Sequence, residues 1–404
     1  MPRRRYDLDW LRVGVFGLLI LFHSGMFYVA NWGWHAKSTY QSAFLENIML
    51  IVEPWRMPIL WLIAGISIRF ILAKVPAWRF VFMRSLRLLL PLLFGVLVVV
   101  PPQLYVEMTM KGELSMSYWQ FLQVFFTYDH PIFANYRWGI WPHIDVNHLW
   151  FLRSLWKYSL VILLLAPVLN SKWIENALQW LFRQHNLVAI SLAVLPIFLI
   201  HINWDIHSAR YPLGFTLMLY GYLIGWNPAF WQRLTHQIKP LLLASAVCFA
   251  IFITFYNLVW VHAFQGKQVS ENLMIMGMLV YSLLRVLGVL TVFAIGFKYF
   301  NRKSKSLGYL NEAVYPFYIL HQSIIVVAGY QLSQFALGPV WEPILLILIT
   351  IIACFAGFEL ILRVELLRPF FGLKMSNSYS LPLAKIGCAC SLLLLLPFAY
   401  EILL

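Results

Sequence analysis

Apolar runs about twenty residues long recur along the chain, separated by short polar or basic stretches. They cover roughly 9–30, 44–73, 87–106, 147–169, 187–203, 211–226, 240–261, 272–298, 309–332, 341–362 and 383–404. At about 1.5 Å per residue, each is close to the length needed to cross a hydrocarbon core of about 30 Å. The pattern predicts an all-α, polytopic integral membrane protein of about 10–11 transmembrane helices. With 61% hydrophobic and 11% charged residues, no soluble domain fits this chain.

Charge sets the expected orientation. Lys and Arg number 30 against 16 Asp and Glu, for a net charge of +14. With the N-terminus in the cytoplasm, most of these cations fall in inside loops. Only Lys37, Lys111, Arg137, Arg210 and Lys267 fall outside. That asymmetry predicts a cytoplasmic N-terminus, and the excess charge is read as topogenic, not as a nucleic-acid footprint. The basic MPRRR start leads into a long run with no small-residue cleavage site, so a retained first helix is expected. Residues 1–374 form one membrane domain with a long outside loop at 107–146. Residues 375–404 form an appended transmembrane helix with no polar residue suggesting a site. The cysteines, Cys248, Cys354, Cys388 and Cys390, lie in apolar runs without metal or redox spacing, so neither disulfide nor metal is expected.

Ionisable residues inside apolar runs are costly and usually functional. Arg12 and His23 share the first run. Eleven residues at about 100° each return to nearly the same helix face and span roughly 16 Å. Arg12 then lies near the inside and His23 in the outer half, where a neutral imidazole can act as a general base. Glu53, entering from outside at a similar depth, either orients that imidazole or pairs with Arg56 at i, i+3. His321, beside Gln322, falls near mid-membrane, and Arg285 is also central. His148 sits at the outer mouth of its run with Arg153 a turn deeper. Arg69, Arg84 and Arg87 cluster on the cytoplasmic side, where guanidinium forks suit phosphate or simply anchor the topology. The loop 107–146 is dense in aromatics, among them Trp119, Trp138 and Trp141. These either face sugar rings or form an interfacial belt. No nucleotide-binding loop, metalloprotease or serine-hydrolase motif is present.

Taken together, these residues resemble the acyltransferase-3 family of membrane acyltransferases. The carriers are Arg12 and His23 with ten residues between them, Arg84-x-x-Arg87, HLWFL at 148–152 and FYILHQ at 317–322, in that order. DLDWLRV, EPWRMPILWLIAGISIRF and LLPLLFGVLVVVPPQ look like the family's glucan-biosynthesis branch, taken to succinylate periplasmic glucans. The resemblance implies transfer of an acyl group, succinyl or acetyl, from cytoplasmic acyl-CoA (succinyl-CoA or acetyl-CoA) to a hydroxyl of an extracytoplasmic carbohydrate, such as a periplasmic glucan. It places the protein in a bacterial inner membrane, surrounded by lipid and with a homo-oligomer open. His23, Glu53 and His321 would be catalytic. Arg12, Arg69, Arg84 and Arg87 would hold the donor, and His148, Trp119, Trp138, Trp141 and Arg153 the acceptor. Transfer would be direct or through an acyl-His23 intermediate. A rival reading of the same buried groups is a proton-coupled glycan or lipid exporter, with His23, Glu53 and His321 as a proton relay.

Overall fold

A computed structural model describes residues 5–136 and 143–375. Its helices, in chain order, are α1 (Tyr6–Met26), α2 (Ala43–Met49), α3 (Glu53–Leu72), α4 (Ala77–Phe94), α5 (Pro101–Met110), α6 (Tyr118–Phe125), α7 (Trp150–Leu169) and α8 (Lys172–Arg183). They continue as α9 (Asn186–Asn203), α10 (Ile206–Ile224), α11 (Pro228–His236), α12 (Ile238–Phe255), α13 (Val261–Phe264), α14 (Glu271–Tyr299), α15 (Lys305–Ser333) and α16 (Gly338–Arg363). Among the described residues the only β-pairing is an isolated bridge between Val29 and Ser42. Among the described residues nine stretches are long and apolar enough to cross a membrane. The all-α polytopic expectation holds. The expected sixth run is α10, whose first turns carry His207, Ser208 and Arg210 and which falls outside the nine. The appended helix expected at 375–404 lies outside the described residues, apart from Met375. Leu164, Leu243 and Ile352 are among many large apolar side chains left exposed, as lipid-facing helices require.

The chain divides into two compact units. The first comprises Met1–Leu19, Ala43–Val75 and Tyr158–Asn311; the second comprises Ile20–Ser42, Pro76–Lys157 and Glu312–Leu404. In the first unit, α3 and α10 touch backbone to backbone. A Cβ on Gly65 would strike the Met218 carbonyl, and one on Gly221 would strike that of Leu62. Helices in lipid gain little from hydrophobic exclusion, so this close approach of small residues is what holds them.

In the second unit, α4 runs into α5 through a widened turn at Gly95–Val99. Pro101 has no N–H to continue the helix, and the Val100 N–H bonds back five residues to the Gly95 carbonyl (2.8 Å). The Gln103 N–H then bonds to Val100 (2.8 Å), which leaves the Val99 carbonyl for a side chain. Gly95 also makes room for Leu149, since a Cβ there would overlap the leucine side chain. Beyond α1 the chain folds back. Lys37 Nζ donates to the carbonyls of Met26 (2.9 Å) and Val29 (2.7 Å), taking up acceptors the helix end cannot use. The Ser38 hydroxyl donates to the fully buried Glu342 (2.6 Å). Burial, with this carboxylate beside it, pushes the Tyr28 phenol well up from its ordinary value.

The aromatic loop becomes a small core of its own. Ser117 and Gln120 form a reciprocal cap that starts α6. Phe121, Phe125, Phe133 and Tyr136 then bury themselves with Met108 and Leu114. His143 stacks on Phe133 at 3.8 Å, and its Nε2 lies 2.5 Å from the Phe125 carbonyl. Burial lowers the His143 pKa. Most of the described aromatic density is therefore packing, not a free platform.

Candidate active site

The second unit brings three of the sequence-selected histidines together. His321, on α15, has no exposed surface. Its Nδ1 faces two carbonyls of its own helix, Phe317 (3.0 Å) and Tyr318 (2.8 Å). A ring nitrogen held between two oxygens carries the proton, so Nε2 of the neutral ring keeps its lone pair. That Nε2 lies 2.8 Å from Nδ1 of His23, with the rings nearly parallel at 8°. His23 therefore donates through Nδ1, and its own lone pair sits on Nε2. His23 is half-buried where His321 is sealed. The pair thus presents one basic nitrogen from the more accessible ring, oriented by a buried partner.

His148 stands edge-on to His321, with ring centres 5.6 Å apart. Its Nε2 donates to the Ile319 carbonyl (3.0 Å), and its Nδ1 accepts from Gln103 Nε2 (3.3 Å). Its own carbonyl accepts from the Tyr318 hydroxyl. Both ring nitrogens meet partners inside the protein, and His148 thereby ties α15 in register. Gln103 also donates to Ser323 Oγ (2.6 Å), which donates in turn to the freed Val99 carbonyl (2.5 Å). Gln322 Nε2 donates to Gln103 Oε1 (3.1 Å) and Asn147 Oδ1 (2.9 Å). Every group in this chain has a partner of the right sense, which makes such a network rigid.

Sequence reasoning missed one branch. His35 Nδ1 donates to Glu107 Oε2 (2.5 Å), and its Nε2 lies 3.2 Å from Asn147 Oδ1. Lys111 Nζ donates to the other oxygen of Glu107 (2.6 Å), and this pairing raises its pKa against the opposing effect of burial. Trp34 lies 5.3 Å from the His23 ring and 5.2 Å from that of His35. Asn147 holds a positive φ of 47°, which Asn tolerates better than most residues. Two signals were available: a His and two Trp directly after the first run, and a Gln and a Glu inside PPQLYVEMTM, a stretch that pattern reading gave partly to the loop.

The remaining expectations divide by unit. Glu53 does not meet an imidazole. It accepts from Tyr281 OH (2.5 Å) and pairs with Arg285 at 4.0 Å, inside the first unit. His321 holds the place beside His23 that Glu53 was expected to fill. Arg12 donates to Asn311 (3.0 Å) and lies 3.5 Å from Asp9, while Arg69 donates to Asn170 and packs over Tyr222. Both sets of contacts stay within the first unit. Arg84 and Arg87 belong to the second unit, on α4. Arg87 donates to the Gly372 carbonyl (3.2 Å), its own carbonyl accepts from Tyr315 (3.0 Å), and Arg84 packs over Phe80. Ser85, next to Arg84 in the chain, accepts from Trp156 (2.9 Å) on α7, the helix that also carries Arg153 and Lys157. Trp119 is 76% exposed, free to meet a ligand, whereas Trp138 and Trp141 lie outside the described residues. Among the described residues no cluster of His, Cys, Asp or Glu has a metal-binding arrangement.

A half-buried imidazole oriented by a second one, in a multi-pass helical protein, is a site for moving a proton on and off a substrate. The comparison with known families agrees: the acyltransferase domain of the acyltransferase-3 family matches residues 5–359, and the chain belongs to that family. That membership favours acyl transfer over the exporter reading. The chain is also similar to glucans biosynthesis protein C of Shigella dysenteriae serotype 1 (strain Sd197), 26% identical over 153 residues. That likeness covers 38% of this chain and 36% of the relative. No solved structure gives a significant match.

Proposed function

We propose that this protein moves an acyl group, succinyl or acetyl, from cytoplasmic acyl-CoA to a hydroxyl of an extracytoplasmic carbohydrate in a bacterial inner membrane, with its N-terminus inside. The observation that carries the reading is the fixed proton order of the His23–His321 pair. His23 Nε2 takes the acceptor's hydroxyl proton as the oxygen attacks the thioester carbonyl. His321, unable to give up the proton held by its helix carbonyls, accepts from His23 Nδ1 and steadies the imidazolium that forms. The tetrahedral intermediate collapses, the C–S bond breaks, and the thiolate takes the proton back from His23 Nε2. The products are the ester and free CoA, and His23 returns to its starting state.

Arg84 and Arg87 are the donor's phosphate contacts in this unit, with Arg153 and Lys157 of the neighbouring α7 adding positive charge to the same end. This moves Arg153 from the acceptor to the donor. His35, Glu107 and Asn147 replace His148 as the groups that hold acceptor hydroxyls, with Trp119 at the loop surface. Arg12 and Arg69 enter as donor contacts only on sequence spacing. Succinyl and glucan rest on the partial likeness to the glucan protein and on the local stretches quoted above.

The test uses the full chain in lipid nanodiscs. Release of free CoA thiol from succinyl-CoA and from acetyl-CoA is followed with and without a purified periplasmic glucan. Thiol release that depends on glucan, with a matching mass shift on the glucan, supports the reading. Thiol release indifferent to any carbohydrate sinks the acceptor assignment. His321→Gln, which keeps an acceptor for His23, should retain more turnover than His321→Ala and should shift the pH profile. Equal loss in both with an unchanged profile would make His321 merely structural.

A further inference from the structure

A second cavity, wholly inside the first unit, carries chemistry that acyl transfer does not use. It measures about 440 Å³ and lies among α8, α9, α10, α12 and α14. That is within the roughly 300–1,000 Å³ of small-molecule sites. Its walls are almost entirely Leu, Ile, Val, Ala and Phe; Asn186, Arg233 and Gln237 form a polar end, and the Tyr220 hydroxyl donates to the Ala193 carbonyl (3.1 Å). Arg233 donates to Asn186 Oδ1 and to the carbonyls of Phe182 and Gln184. All are neutral acceptors, so its full positive charge remains to be balanced. Arg183 ends α8 beside it, and Lys239 follows Gln237 by two residues. No acidic residue occurs between 176 and 204 or between 206 and 270.

One wall is unusual. The α8 sequence KWIENALQWLFR alternates apolar and polar residues at the helical period and buries none of them. Leu178, Leu181 and Phe182 face the cavity, while Trp173 and Trp180 are exposed. A short helix of this kind lies in the plane of the membrane interface, with its tryptophans at headgroup level. The cavity therefore has an apolar body at chain depth and a cationic end at headgroup depth.

The geometry points to a seat for one anionic phospholipid, with an acyl chain inside the cavity and its phosphate beside Arg233, Arg183 and Lys239. The occupant is a lipid because the walls offer an extended chain only dispersion contacts. It is anionic because Arg233 meets only neutral acceptors, and Arg183 and Lys239 add positive charge nearby in the chain. This site is separate from the histidine pair and does not depend on the acyltransferase reading.

Native mass spectrometry of the full chain, released from nanodiscs, tests it with phosphatidylglycerol and phosphatidylcholine of identical chains. The wild type should retain one phosphatidylglycerol with about five- to tenfold preference over phosphatidylcholine, as expected for one basic contact near a headgroup. Ala193→Trp, which fills the cavity, should abolish retention of both lipids. Ala244→Trp fills it from α12 and serves if the first variant fails to fold, as judged by thermal unfolding. Lys239→Gln with Arg183→Gln should keep retention and reduce the headgroup preference. Retention unchanged in a folded cavity-filled variant, or no preference between the two headgroups in the wild type, overturns the proposal.

Discussion

Both units bury polar side chains among apolar helices, but by different chemistry. Around His321 the second unit uses imidazoles, amides and hydroxyls, joined by hydrogen bonds that run through the network and through His321 to His23. Around Arg285 the first unit uses ions. Arg285 donates to Tyr281 (2.6 Å), which donates to Glu53, and Arg56 lies buried close by. His201 stacks on Tyr281 and donates to Ser282 (2.8 Å). The ionic cluster pairs its charges with one another. A buried ion pair is weak evidence for either stability or catalysis, yet breaking one is expensive. The neutral network orients an imidazole, while the ionic one ties α3 to α14. An ionisable residue inside a membrane span is thus a pointer to function only after its partners are known.

That contrast can be broken by substitution. The largest expected effect is from His23→Ala, which should cut turnover by about 10²–10⁴-fold while the protein inserts and unfolds as wild type. Near wild-type turnover in the purified variant would remove His23 from the mechanism. Next, Arg84→Ala with Arg87→Ala should weaken acyl-CoA binding by about 1.5–3 kcal/mol per contact, with turnover at saturating donor largely kept. Isothermal titration separates the two, and an unchanged donor affinity would leave these residues as topological anchors.

In the first unit the expected pattern reverses. Glu53→Gln should destabilise by about 1–3 kcal/mol, seen as a lower melting temperature, with turnover of the folded fraction near wild type. A collapse of turnover in stable Glu53→Gln would return Glu53 to the chemistry. The smallest effect is in the loop. His143 has a folded pKa held below its ordinary 6.5 by burial. The unfolded chain binds the proton more readily, so the stability this residue contributes is complete above about pH 6.5 and is lost as pH falls below it. In hydrogen exchange, the 118–136 amides should open more readily at pH 5.5 than at pH 7.5. His143→Phe, which keeps the stack on Phe133, should abolish the difference.

Much of this protein can be read in its pattern of apolar runs. Hydrocarbon thickness dictates helix length, so those runs predict the number and order of helices from composition alone. The cost of an ionisable group in lipid marks Arg12, His23, Glu53, Arg285 and His321 as candidates for the same reason. Partnership is another matter, because it depends on contacts between residues hundreds of positions apart. His23 meets His321 across 298 residues, and Tyr281 meets Glu53 across 228. Spacing along one helix cannot report which face of another packs against it, so depth alone points to Glu53 and not to His321 as the group that orients the imidazole. His35 and Glu107 stayed hidden because each sits just past the end of its apolar run, where a polar residue costs nothing and draws no notice. Only the fold-back after α1 and the widened turn before Pro101 bring them beside Asn147 and Gln322. The tautomer that makes His23 a base is set by two carbonyls of α15, acceptors that every residue supplies and that no sequence pattern can single out.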